Sequence, residues 1–298
     1  MVEQRKPEEG FQEAPPRVNE WRRFWKVFLQ RKIVIFGLVV FLLLVITALF
    51  AGLLAPFDPY KNVLPDSLQQ PSGKHWLGTD IQGRDTLSRL IFGTRTALMV
   101  GFITVITSAV IGVTLGLAAG FFGGIPSMVI MRIMDSLMCF PMLVLAMLLA
   151  AVLGGGIQNV IIALSVASLP GYARVMNGLT LSIRENDYIM AERSIGASNW
   201  RAMVRHILPN ALPPMIVLVT LQLGGIILAE AGLSFLGIGI KPPGAAWGAM
   251  VTDGSRFLRT SPILTIAPGV AIMLVVFAFN MVGDGLRDAL DPRLRGLL

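Results

Sequence analysis

Glu185–Pro214, ENDYIMAERSIGASNWRAMVRHILPNALPP, is a polar island between long apolar runs. It carries Arg193, Arg201, Arg205 and His206, and Arg184 precedes it. Its second half is periodic. Trp200, Met203, Val204 and Ile207 fall at i, i+3, i+4 and i+7, one stripe of a helix, while Arg201 and Arg205 fall on another face. Gly196 is placed to end a short helix begun near Asp187, and Ser198 to cap the next. Pro209 is placed to end or kink that second helix. The spacing predicts two short amphipathic helices meeting at a Gly-Ala-Ser turn between two membrane spans. From spacing alone, a plain solvated loop between helices is an equal alternative.

Composition sets the surroundings of that stretch. Hydrophobic residues make up 54% of the 298 and charged residues 14%, about half the charge of a soluble domain. The chain is therefore read as a polytopic helical membrane protein. A single cysteine, Cys139, excludes an intrachain disulfide. The formal charge of +7 is assigned to basic loops at one membrane face, which excludes a nucleic-acid partner. The polar N-terminal segment is too long and mixed for a signal-peptide n-region, so the first apolar run is an uncleaved span.

Read in order, Met1 to Pro16 is expected to be disordered. Asn19 to Lys32 interleaves Trp21, Phe24, Trp25 and Phe28 with Arg22, Arg23, Lys26, Arg31 and Lys32. This predicts a basic, aromatic helix against membrane lipids, which also orients span one. Six spans are predicted: Ile33 to Ala55, Thr96 to Ala119, Met128 to Leu153, Ile157 to Ala173, Pro214 to Ile238 and Pro262 to Val282. The domain division is 1–32, a tail with the interfacial helix; 33–95, the first span and an external segment; 96–285, the transmembrane domain with helices at 187–208; and 286–298, a closing tail. The tails, Arg132 and the central stretch hold about two-thirds of the Lys and Arg, which predicts that both termini and the central stretch are cytoplasmic. Gly112, Gly116 and Gly120, and Gly224 and Gly225, suit close helix packing in lipid.

Several constellations were weighed for chemistry. Gly78-x-x-x-x-Gly83-Arg84-Asp85 lacks the Lys and Ser/Thr of a phosphate loop, so the chain is not expected to hydrolyse ATP. His75 and His206 fall on opposite faces of the predicted topology, which disfavours a Ser-His pair. A metal site at His75, Asp80 and Asp85 is a weak signal beside a structural loop. Arg132 and Asp135 are expected to pair locally. Glu230 lies within an apolar run. Either it lines a pathway or makes an ion pair, or span five ends early and leaves it in a wet cavity or a Gly-rich turn. Gln222, two turns earlier, is placed to face the same cavity.

The central stretch resembles the cytoplasmic signature of binding-protein-dependent ABC importer permeases, E-A-A-x-x-x-G-x(9)-I-x-L-P. Ala191, Gly196, Leu208 and Pro209 fall on it, while Met190, Glu192 and His206 stand where Glu, Ala and Ile are usual. His75-Trp76-Leu77-Gly78-Thr79-Asp80, Gly83-Arg84-Asp85, Ser88-Arg89, Glu230-Ala-Gly-Leu-Ser-Phe-Leu-Gly237, Pro242-Pro243, Trp247-Gly248 and Asp291-Pro292-Arg293-Leu294 look like the second permease subunit of dipeptide, oligopeptide and nickel importers. That resemblance implies an all-α membrane protein with six transmembrane helices in the type I ABC importer permease fold. It implies a second homologous permease, two ATPase subunits holding ATP and Mg, and an extracytoplasmic solute-binding protein, with no cofactor in this chain. Asp187, Tyr188, Ala191, Glu192, Arg193, Gly196, Ala197, Trp200, Arg201, Leu208 and Pro209 would couple to the ATPases. Glu230 and Gln222, read from the residues themselves, are candidates for the pathway or the contact between permeases. The solute would be a di- or oligopeptide, with nickel chelates or glutathione as alternatives; a proton-coupled secondary transporter is the rival from another class.

Overall fold

The structure, a computed structural model, describes residues 20–290. The expected disorder of Met1 to Pro16 and the Asp291-Pro292-Arg293-Leu294 motif lie outside them. The described chain is helical: α1 (Glu20–Phe28), α2 (Lys32–Leu49), α3 (Ala51–Leu54), α4 (Thr86–Phe122), α5 (Gly124–Met138), α6 (Met142–Leu153), α7 (Ile157–Arg184), α8 (Asp187–Ser194), α9 (Asn199–Arg201), α10 (Leu208–Phe235), α11 (Trp247–Ser255) and α12 (Ile263–Leu290). Apolar side chains such as Ile106, Val110 and Val152 point outward. Such a surface is at home in lipid and unfavourable in water.

α4 and α7 form the tightest pair, and they run parallel. The Ser165 hydroxyl donates to the Thr104 carbonyl (3.5 Å) and Ser168 to the Ser108 hydroxyl (2.8 Å). Further along, Gly112 faces Tyr172, Gly116 faces Ala173 and Gly120 faces Thr180; a Cβ at Gly112 or Gly120 would sit 2.7 or 2.6 Å from its neighbour's Cβ. This is the close approach in lipid that the small residues predict. Gly224 likewise packs on Val276, but a Cβ at Gly225 would meet only the Gln222 side chain.

Among the described residues, five helices are long and apolar enough to cross a membrane, and α5 with α6 forms a sixth element bent by 89°. The span expected from Met128 to Leu153 is therefore present as a bent pair instead of one continuous helix. Helix α5 stops at Cys139 and α6 starts after Pro141, because the residue before a proline is pushed out of the helical region. Because α4 and α7 run parallel, the chain between them must return across the bundle. The bent pair accordingly makes one crossing, and the fold has six passes. Residues 20 and 290 then share one end, where Arg31 pairs with Asp288 at 3.1 Å and Phe28 and Val34 close over Gly285.

Other spans are longer than composition suggests. The second begins at Thr86, not Thr96, because Asp85 caps it: its carboxylate accepts from the Ser88 amide at 2.8 Å. The fourth runs on to Arg184. The fifth is continuous with the preceding polar stretch, from Asn199 to Phe235. At the end away from residue 20, α11 inserts Trp247, whose indole N–H donates to the Leu90 carbonyl at 3.0 Å.

Candidate functional site

The polar island folds as two short helices at one end of the bundle. Helix α7 arrives anchored: Arg184 donates to the carbonyls of Gly120 (3.0 Å) and Phe121 (3.1 Å) at the end of α4. Helix α8 starts at Asp187, an acid in the first turn that suits the positive helix N-terminus. Gly196 follows with φ +84°, the left-handed conformation that ends helices and that glycine adopts at least cost. The Ala197 amide donates to the Glu192 carbonyl at 3.2 Å. Ser198 then caps α9, accepting from the Arg201 amide at 3.3 Å. Helix α8 and the Gly-Ala-Ser turn are present as expected, but the second helix is not short: α9 is the first turn of the rod that runs to Phe235.

Beyond the turn the geometry departs from expectation. Pro209 neither ends nor kinks the second helix into a break. It occupies the first turn of α10, and α9 reaches α10 through a π-helical stretch, Ala202–Ile207, whose wider i→i+5 turn accommodates the proline ring and its missing N–H within one continuous rod. The i→i+5 bonding there shifts the helix face, so the expected single stripe divides. Ile207 is fully buried and Met203 half-buried, while Val204 is exposed and Trp200 is 71% exposed. Ile195, at 85%, Tyr188 and Met190 join them. This bundle end therefore presents apolar side chains beside exposed Asp187, Arg201 and Arg205.

Charge ties the two helices together. Glu192 Oε2 lies 2.7 Å from His206 Nε2, and its Oε1 lies 3.8 Å from Arg201 Nε. The Glu192–His206 contact is close but is not aligned as a hydrogen bond. Asn210 donates to the Tyr188 hydroxyl at 3.3 Å and to the His206 carbonyl at 2.7 Å. Ala191 is exposed and Ala197 half-buried; Arg193 lies in α8, and its side chain falls outside the description. Pro209 and Asn210 line an open cavity of about 760 Å³ with Val175, Pro213, Pro214, Leu221 and Arg287, and Leu208 sits just outside it.

Glu230 lies at the far end of the same rod. The span does not end before it. It is 1% exposed and accepts from the Ser234 hydroxyl at 2.7 Å, which in turn accepts from the Ile240 amide at 3.2 Å. Gln222 is half-buried, and none of the described cavities joins the two. Asp135 pairs with Arg174 of α7, not with Arg132 as expected; the bent span swings it toward α7. Asp80 and Asp85 do not converge with His75 on a common point. Asp85 takes His75 Nδ1 at 2.8 Å, while Asp80 takes Arg84 at 2.6 Å and Arg89 at 3.6 Å. The sequence groups His75, Asp80 and Asp85 and favours a structural loop, but does not show which charges pair; of the contacts only the i,i+4 Asp80–Arg84 pair and the Asp85–Ser88 cap are local in the chain.

Two family models match the chain: binding-protein-dependent transport system inner membrane component, over residues 112–296, and N-terminal TM domain of oligopeptide transport permease C, over residues 19–71. The dipeptide transport system permease protein DppC of Alkalihalophilus pseudofirmus is 41% identical over 278 residues, covering 93% of this chain and 91% of that one. The glutathione transport system permease protein GsiD of Pectobacterium atrosepticum is 42% identical over 276 residues, 92% of each chain. Among solved structures, a chain of the inward-facing MetNI methionine ABC transporter superposes with a TM-score of 0.56 at 21% identity, covering 67% of this chain and 96% of that one. At that identity the likeness is one of fold.

Proposed function

We propose that this chain, which belongs to the family of binding-protein-dependent transport system inner membrane components, carries short peptides inward as one of two homologous permeases. It is a multi-pass membrane permease of an ABC importer, and in such importers separate subunits hydrolyse ATP. The observation that carries the solute class is near-full-length likeness to a dipeptide and a glutathione permease, since glutathione is itself a tripeptide. Two ATPase subunits, holding ATP and Mg, dock from the cytoplasm on Asp187 to Pro209. An extracytoplasmic binding protein delivers the solute to the opposite end. The Lys and Arg asymmetry supports that orientation.

The coupling follows from shape. ATP-driven closure of the ATPases moves the α8–α9 turn, and the rod from Asn199 to Phe235 carries that displacement across the membrane. This is a two-state element whose equilibrium ATP biases through its differing affinity for the two states. The test is uptake of a labelled dipeptide and of glutathione by proteoliposomes holding both permeases, both ATPases and the binding protein. ATP-dependent uptake of one of them, insensitive to a protonophore, is expected. Uptake without ATPases, driven by a proton gradient, would overturn the reading.

A further inference from the structure

We infer that Glu192 and His206 are a positioning pair that locks α8 to the long rod, so that the docking turn and the fifth span move as one body. The inference rests on the reading of Asp187 to Pro209 as the docking element. Glu192 stands where the importer signature has alanine and His206 where it has isoleucine, so the signature assigns them no contact with each other. The structure places them 2.7 Å apart across the turn, Glu192 on α8 and His206 within the π-helical start of the rod.

The pair matters because little else spans that gap. The bonds near the turn, from the Ile195 amide to the Ala191 carbonyl and from Ala197 to Glu192, close α8 on itself, and those from the Arg201 amide to the Ser198 hydroxyl and from Ala202 to the Ser198 carbonyl close the next helix on itself. Among the described residues the two helices are joined by a shared apolar cluster that includes Ile189, Ala202 and Ile207, by the Tyr188–Asn210 bond, by the Tyr188 ring against the His206 ring at 6.5 Å, and by the Glu192 carboxylate with His206 and Arg201. Apolar contact resists separation but not sliding; an ion pair of defined geometry also fixes orientation. The Glu192 side chain is 15% exposed, so solvent screens the pair less than a surface one. His206 also belongs to the helix that ends at Phe235, which puts the lock at the root of the lever.

Two readouts test it. A spin label on Ile195→Cys, in a Cys139→Ser background, reports the motion of α8 in the assembled complex without reference to any solute. Glu192→Gln and His206→Gln should each make the label more mobile, and the swap Glu192→His with His206→Glu should restore it. In the same complexes, solute carried per ATP hydrolysed, measured on those that retain their ATPases, should fall about fivefold in each single variant and recover in the swap. Unaltered label mobility and coupling in both single variants, or a swap as poor as the single changes, would overturn the inference. Absence of peptide uptake by the unmodified complex, with the label responding as stated, would sink the solute reading and leave the pair standing.

Discussion

The two ends of the bundle are built on opposite plans. At one end the loop from Asp58 to Asp85 folds onto itself. Gln69 and Thr79 exchange backbone and side-chain bonds, Asp80 receives the amides of Gln82 and Arg84, and His75, Arg84, Asp85 and Arg89 are all buried. At the other end the turn from Asp187 to Leu208 leaves Trp200, Ile195, Met190 and Tyr188 in the open and depends on a cap, a left-handed glycine and one partly buried ion pair. With the exception of His75 Nε2, the buried polar side chains of this loop find partners within the chain, which makes it a finished structure. A turn with exposed aromatic and aliphatic side chains awaits a partner. Damage at the first end should cost the fold; damage at the second should cost coupling and spare the fold.

The largest effect is expected at Asp85. Its carboxylate accepts from the Ser88 amide (2.8 Å), the Ser88 hydroxyl (2.7 Å) and His75 Nδ1 (2.8 Å). Asp85→Ala removes the cap of a membrane-spanning helix and strands a buried imidazole, whose Nε2 has no hydrogen-bond partner either. Breaking a buried pair from one side costs about 3–5 kcal/mol. The variant should be depleted from the membrane and melt far lower in detergent, as read by thermal aggregation of the purified chain. A melting curve matching the parent would show that the knot carries no stability.

Gly196→Val should abolish transport without that loss. Nothing lies within 4 Å of a Cβ at this position, so the cost is conformational: a β-branched residue at φ +84° is strained by about 1–3 kcal/mol. Relief of that strain re-aims α8. Membrane level and melting should stay at parental values while transport vanishes and ATP is either not hydrolysed or hydrolysed unproductively. Normal transport would remove the turn from the coupling path, and loss of the protein from the membrane would erase the contrast between the ends.

What the sequence could reveal tracks how local each cause is. The Gly196 turn and the Ser198 cap were legible because residues within a few positions decide them. The stripe of small residues on α4 was legible because lipid-embedded packing follows a fixed spacing. The continuity of Asn199 to Phe235 was not: Pro209 reads as a stop unless the π-helical stretch before it has already placed it in a first turn. The Asp135–Arg174 pair was illegible, because it depends on the 89° bend at Pro141. Glu192–His206 escaped for the same reason, since the angle of α8 to the rod brings them together.

Trp200→Ala sharpens the contrast at a smaller scale. With 71% of Trp200 exposed, truncation should leave the melting of the chain within about 0.5 kcal/mol of the parent in stability. If the indole enters an ATPase groove, its loss should weaken ATPase retention by at least roughly 1.5 kcal/mol, about tenfold in affinity. Arg205→Ala should do much less, as an exposed ion pair is worth ~0–1 kcal/mol. Co-purification of the ATPases on dilution separates the two variants. Equal retention by both would assign the exposed aromatic to lipid instead of to a partner.

The smallest effect is expected at the edge of the finished end, and it tests where that end stops being rigid. Lys74 donates to Asp66 Oδ2 at 3.0 Å with its own side chain 61% exposed. That bond comes first; burial opposes it, and the charge of Lys74, the bond from Gln69 and the charge of His75 add to it, so the Asp66 carboxyl is held below its usual 3.8. The folded value is depressed, so the stabilisation is fully present above the unfolded value and is lost as pH falls through the folded one. Lys74→Ala should therefore lower thermal stability slightly at neutral pH and low salt. The deficit should shrink as salt screens the pair, and it should close as the pH falls below 3.8 and Asp66 protonates. Asp85 lies in the same loop, yet its deficit should survive high salt because its partners are out of water. A Lys74→Ala deficit as large and as salt-resistant as that of Asp85→Ala would place Asp66 inside the knot, and the boundary between rigid interior and yielding rim would move outward to Lys74.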